Sequence, residues 1–222
     1  MSQKTVLNKL DEGRQYRDIN LSQIKHRAES GDMIVEGYAT TFNQRYLLWA
    51  EPDYEVWEQV DPNAFNDTDM DDVIMQYNHE GRVFARTSNG TLELDKDEVG
   101  LKILARLSGT QLGRQVWEEI DGGYTNKMSF GFTVGEDKRE ETEDHETGKV
   151  TILRTITKIT KLYDVSAVAL PANDATSISA RSFAEGVISE AKEEIRAREQ
   201  REEQRARIND LFNKITGGET NV

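Results

Sequence analysis

The sequence contains no cysteine. Disulfides, zinc–thiolate centres and a thiol nucleophile are therefore excluded, and a reducing compartment is tolerated. Histidine is nearly as scarce. His26, His79 and His145 are the only three, too few for a histidine-rich metal centre. Long apolar runs are missing as well. The opening MSQKTVLNKLDEGRQYRD lacks the apolar core of a signal peptide, and no segment approaches the roughly 20 apolar residues of a membrane span. The expectation is a soluble, unexported protein without cofactor or metal. Glycine-rich phosphate loops of the P-loop or dinucleotide type are not present either. Finally, the chain lacks cationic excess: its formal net charge is −13, which argues against nonspecific DNA or RNA binding. Protein partners or other protomers are the expected ligands.

What remains is a chain of 222 residues with 36% apolar and 31% charged residues. The apolar share can support a core, whereas the charged share is high for a uniformly globular chain. A compact part and a solvated part are expected. The β-like pattern starts near Tyr16 and runs through DINLSQIKHRAE and MIVEGYATTFN, where Ile34, Glu36, Tyr38 and Thr40 alternate with Val35, Gly37, Ala39 and Thr41. YEVWEQV and VIMQYNH read as further strands. In DPNAF, Asp61 is placed to cap a short helix with Pro62 in its first position. TLELDKDEVGLKILARL reads as a hairpin turning over Lys96–Val99. Thr110–Ile120 has helical spacing in Leu112, Val116 and Ile120, and Asp121-Gly122-Gly123 stops it.

The stretch NKMSFGFTV, residues 126–134, is unusual for a buried strand. Alternation puts Met128, Phe130, Phe132 and Val134 on one face and Ser129 and Gly131 on the other. A hydroxyl beside a bare position suggests that something approaches there. The charged GEDKREETEDHETGKV that follows reads as an exposed connection or hairpin tip with a turn at Glu146-Thr147-Gly148. TILRTITKITKLYDVSAVALPAN then gives a long β ribbon, stopped by Pro171. Composition breaks near Arg181–Gly186. Residues 190–207 hold six acids and six bases, many at i,i+4 spacing, as in a solvated helix. The expected organisation is a loose segment over residues 1–15, a β-rich domain over 16–182, and a charged helical extension over 183–222.

A serine hydroxyl is a weak nucleophile until a base accepts its proton, and histidine suits that task. His26 sits in a polar strand and His145 in a charged turn, whereas His79 ends an apolar strand in QYNHEGR. A third polar group is needed to orient the imidazole. Asp164 lies within an apolar strand pattern, where an unpaired carboxylate is costly. Ser166 shares its side of a regular strand, and Glu80, next to His79, is a weaker candidate for the third role.

Taken in order, GYATTFN, VDPNAFN, VIMQYNHEGRVFARTSNGTLELDKDEVGLKILARL, MSFGF and LYDVSAVALPAN resemble the prohead maturation proteases of tailed bacteriophages, over roughly residues 17–180. The resemblance implies an α+β, mainly β fold: an antiparallel β-barrel with surrounding helices, like the herpesvirus assemblin proteases. It implies a serine endopeptidase with His79 as base, Ser129 as nucleophile and Asp164 as third member. The implied substrates are scaffolding protein, or the scaffold-like segment of the major capsid protein, and the enzyme itself. The implied setting is the host bacterial cytoplasm, inside the assembling procapsid, and a homodimer is expected by analogy with the herpesvirus enzymes; the charged helical extension is read as a binding element for scaffold or portal. In this picture Ser129 faces a cleft and Gly131 leaves room for a substrate backbone. Two other classes are compatible with the residues: a noncatalytic capsid-assembly module, and an unrelated Ser–His esterase or amidase.

Overall fold

The computed structural model describes residues 13–19, 25–29, 32–168 and 174–216. The segment before residue 13, the expected stop at Pro171 and the tail beyond Thr216 lie outside the described residues. The fold is mainly β with two helices. In chain order it comprises β1 (Gln15–Ile19), β2 (Lys25–Glu29), β3 (Asp32–Thr41), β4 (Tyr46–Ala50), β5 (Tyr54–Val60), β6 (Ile74–Tyr77) and β7 (Glu80–Arg86). These are followed by β8 (Leu92–Lys96), β9 (Gly100–Arg106), α1 (Gln111–Asp121), β10 (Lys127–Glu143), β11 (Val150–Val168) and α2 (Asp174–Thr216).

The strands form two sheets. In one, β1, β10, β11, β5 and β4 lie side by side, and the β6–β7 hairpin joins through β6, which pairs with β11. The other runs β2, β3, β9, β8. An isolated parallel bridge between Phe42 and Val60 stitches the end of β3 to β5. No ladder among the described residues closes the two sheets into a barrel. Their facing sides share one core, in which Val35, Ile103, Met75, Met128, Phe130 and Phe132 have at most 1% exposure. The MSFGF alternation is thus realised: Phe130 and Phe132 stack with ring centroids 4.4 Å apart inside that core.

Two local readings differ from the expectation. DPNAF forms turns rather than a helix. Asp61 Oδ1 accepts from the backbone N–H of Asn63 at 2.8 Å, and such local side-chain bonds compete with helix in a stretch rich in Asn and Asp. In α1, Thr110 caps the helix, its Oγ1 accepting from Gly113 N–H at 2.9 Å. Val116 and Ile120 are buried but Leu112 is exposed, because the first turn presses Gly113, not Leu112, against the carbonyl of Leu107.

The charged segment after Ser129 forms the outer part of one arm and the tip of a long hairpin, paired through Glu143 and Val150. The helix expected from residue 183 begins at Asp174. Its Val187, Ile188 and Ala191 are buried against Val56, Val150 and Ile152, so this turn docks on the hairpin while residues 198–211 remain exposed. No helix among the described residues is long and apolar enough to cross a membrane.

β1 is locked into the first sheet by a buried ionic group. Arg17 donates to Glu58 Oε1 at 2.5 Å and to Oε2 at 3.1 Å, and Arg154 donates to the same Oε2 at 3.0 Å. Tyr46 adds its hydroxyl to Glu58 Oε1 at 2.5 Å, and Arg154 reaches Asp137 at 2.7 Å. Burial would raise the Glu58 pKa, but the two guanidiniums override it and hold the group at about 2. Glu58 is therefore a structural anion.

Candidate active site

Three elements converge on the side of β10 opposite the aromatic core. β10 and β11 pair antiparallel, with Ser129 across from Ser166 and Gly131 across from Asp164. Alternation then puts all four on one face. The third element is the turn between β6 and β7. Tyr77 pairs with Glu80, so Asn78 and His79 form a two-residue hairpin loop, and both have positive φ, 49° and 60°. That combination is the requirement of a type I′ turn, whose twist suits hairpins. Asn and His are both among the few non-glycine residue types enriched at positive φ. β6 lies parallel to β11 alongside residues 164–167, and Asn78 N–H bonds to Ala167 O at 3.0 Å. The turn therefore delivers the imidazole over β11 and β10.

The result is a continuous relay. With the proton on Nδ1, the His79 ring donates to Asp164 Oδ1 at 2.5 Å, and Nε2 accepts from Ser129 Oγ at 2.6 Å. The tautomer follows from the network, since a carboxylate can only accept. Ser166 Oγ donates to the same Asp164 Oδ1 at 2.7 Å, and Arg14 Nη2 donates to Oδ2. Both oxygens of a fully buried carboxylate are thus satisfied, as its burial demands. Such a chain can transfer the serine proton to the imidazole while the carboxylate stabilises the resulting cation.

Of the residues considered from sequence, His79, Ser129 and Asp164 are brought together. Glu80 is exposed, and His145 stands in the exposed hairpin turn. His26 lies on β2, in the other sheet. Two expectations about this face change. Ser129 has no exposed surface and the His79 side chain retains 8%, so the hydroxyl is enclosed rather than open to a cleft. Gly131 is bare for a different reason: a Cβ there would stand 2.3 Å from Asp164 Oδ2 and 2.9 Å from Arg14 Nε and Tyr16 Cε1. The space belongs to the chain's own carboxylate and its cover. Arg14 and Tyr16 carry no sequence signal for this place, sitting in a polar stretch far from Asp164. The signal for Ser166 was its two-residue spacing from Asp164.

A family model described as caudovirus prohead serine protease matches residues 20–188, a span containing His79, Ser129 and Asp164. Among solved structures, the capsid assembly protease gp21 of bacteriophage T4 is similar at 12% identity and a TM-score of 0.33, with 70% of this chain and 98% of that chain covered. A search of curated proteins gave no match. The family match spans well over half of the sequence, and the chain belongs to the caudovirus prohead serine proteases.

Proposed function

We propose that the protein is the endopeptidase of procapsid maturation, with Ser129 as nucleophile, His79 as general base and Asp164 as the group that orients and stabilises the imidazole. The observation that carries the assignment is the unbroken hydrogen-bonded path from Ser129 Oγ through His79 to Asp164. His79 Nε2 takes the Ser129 proton as Oγ attacks the scissile carbonyl. The imidazolium then protonates the leaving amine, which departs and leaves an acyl-enzyme. Water, deprotonated by the same nitrogen, releases the new carboxylate and restores Ser129. Asp164 stays ionised throughout, because Ser166 and Arg14 bond to its anionic form.

The substrates in this reading are scaffolding protein or the scaffold-like segment of the major capsid protein, together with the enzyme's own chain, cut inside the assembling procapsid. The two joined sheets are read as opposed walls of an assemblin-like barrel. The distal, exposed part of α2 is read as the element that recruits scaffold or portal, and a homodimer is the assembly expected by analogy. Coexpression with the major capsid protein, followed by intact mass of both chains, tests the assignment. Wild type should trim the capsid protein, and Ser129→Ala and His79→Ala should leave it full length while staying folded. Continued trimming in either variant refutes the roles of nucleophile and base.

A further inference from the structure

The relay leaves one feature unaccounted for: the contact made by the outer oxygen of Asp164. This oxygen faces away from the imidazole, yet it is bonded by a residue from the N-terminal edge of the fold. Arg14 Nη2 donates to Oδ2, and its guanidinium lies 4.7 Å from the ring centre of Tyr163 and 5.1 Å from that of Tyr16. Tyr16 in turn packs on His79, with ring centroids 4.3 Å apart. Exposed ion pairs contribute little, and the Arg14 side chain keeps 34% of its surface, but its partner keeps none. A carboxylate so enclosed has no water to replace a lost cation. Three residues on from Arg14, Arg17 is fixed in the buried group around Glu58, so the strand that carries Tyr16 is held in register against Ser129.

We infer that Arg14 is a positioning residue of the reaction, clamping Asp164 Oδ2 so that Oδ1 is presented to His79, and that residues 14–17 are thereby part of the proteolytic apparatus. The inference rests on the Ser129–His79–Asp164 mechanism. Gly131 is consistent with it. A Cβ at this position would meet Asp164 Oδ2, Arg14 Nε and Tyr16 Cε1, so the bare strand position leaves room for this pair. Among the described residues, the charged and polar groups at or near the imidazole include Asp164 and Ser166 from β11, Ser129 from β10, and Arg14 and Tyr16 from the β1 side, with exposed Glu80 next in the chain. Asp164 favours a proton on His79 and Arg14 opposes it. Removing Arg14 leaves the carboxylate uncompensated, so the ring should hold its proton to higher pH.

The test uses the full chain and a fluorophosphonate, which labels an activated serine without requiring the natural substrate. Labelling rates are measured from pH 5 to 9 for wild type, Arg14→Ala, Arg14→Gln and Arg14→Lys, with Ser129→Ala as control and Tm by calorimetry. Arg14→Ala and Arg14→Gln should label roughly 10–100-fold more slowly, the loss expected of a displaced orienting group. Their acid limb should move to higher pH, and Arg14→Lys should restore the limb in large part. Wild-type rates and limb in Arg14→Ala overturn the inference. So does an equal loss at every pH accompanied by a lower Tm, which marks a purely structural arginine. If wild type itself is not labelled at Ser129, the serine-protease reading fails and the Arg14 role falls with it. An intact wild-type reaction with silent Arg14 variants removes the positioning role alone.

Discussion

Gly131→Ala is the sharpest single probe of the relay. The added carbon would lie 2.3 Å from Asp164 Oδ2, about 1 Å closer than an ordinary carbon–oxygen contact. Arg14 and Tyr16, each 2.9 Å away, are longer side chains at the edge of the fold and can give a few tenths of an ångström. Asp164 cannot withdraw so easily, because it has only two rotatable bonds and its oxygens are held by His79, Ser166 and Arg14. A shift of about 1 Å would stretch the 2.5 Å contact to His79 beyond hydrogen-bond range. Overpacking of this kind costs about 1–3 kcal/mol in stability. Loss of imidazole orientation is far more damaging to rate, on the order of 10²–10⁴ in kcat. The expected variant is therefore folded, with Tm lowered by several degrees, and nearly inert towards the capsid protein in a time course read by intact mass. Wild-type turnover in Gly131→Ala would show that the alignment of Asp164 does not matter, and the proposed mechanism would fail with it.

Other perturbations separate site from scaffold. Ser166→Ala removes one donor from Asp164 Oδ1 and should slow fluorophosphonate labelling about tenfold with little change in Tm, matching the net value of one hydrogen bond. Glu58→Gln takes the shared anion from Arg17 and Arg154, of which Arg154 keeps Asp137, and should cost about 3–5 kcal/mol by urea titration. The Glu58 pKa falls from 4.5 to about 2 on folding, so its stabilisation is complete above pH 4.5 and is lost as pH drops towards 2. Acid unfolding of wild type should therefore steepen across that window, and Glu58→Gln should flatten it. Ile188→Asp places a charge against Val56, Val150 and Ile152, and should speed amide exchange at the hairpin tip before it affects Ser129 labelling.

Much of this was legible in the residues, for identifiable reasons. The period of two in MSFGF fixes which side of the strand meets the core, so Phe130 and Phe132 could be placed without coordinates. His79 stood out because only it follows an apolar strand. The position of Asp164 depended on recognising the strand motif before SAVALPAN, since nothing in its local pattern names its partner. Periodicity shows that a face is special but not what fills it, which is why Gly131 read as a gap for substrate and proved to be a gap for Asp164. Arg14 looked like part of a polar terminus, and its role comes from a contact with a residue 150 positions away. The order of strands in the sheets was not legible for a similar reason: strand patterns specify faces, while the partners of edge strands are chosen by long-range packing.

The connection that carries His79 has two residues and no slack. Insertion of a single residue between Tyr77 and Glu80 would swap inward and outward positions along one arm of the hairpin, and the ring could not drift partway off target. Reach in this protein is thus set in whole-residue steps. Variation in the family at this loop should appear as exchanged side chains of constant spacing, while changes in length should collect elsewhere, for instance at the tip beyond Glu143, where the chain has room to absorb them.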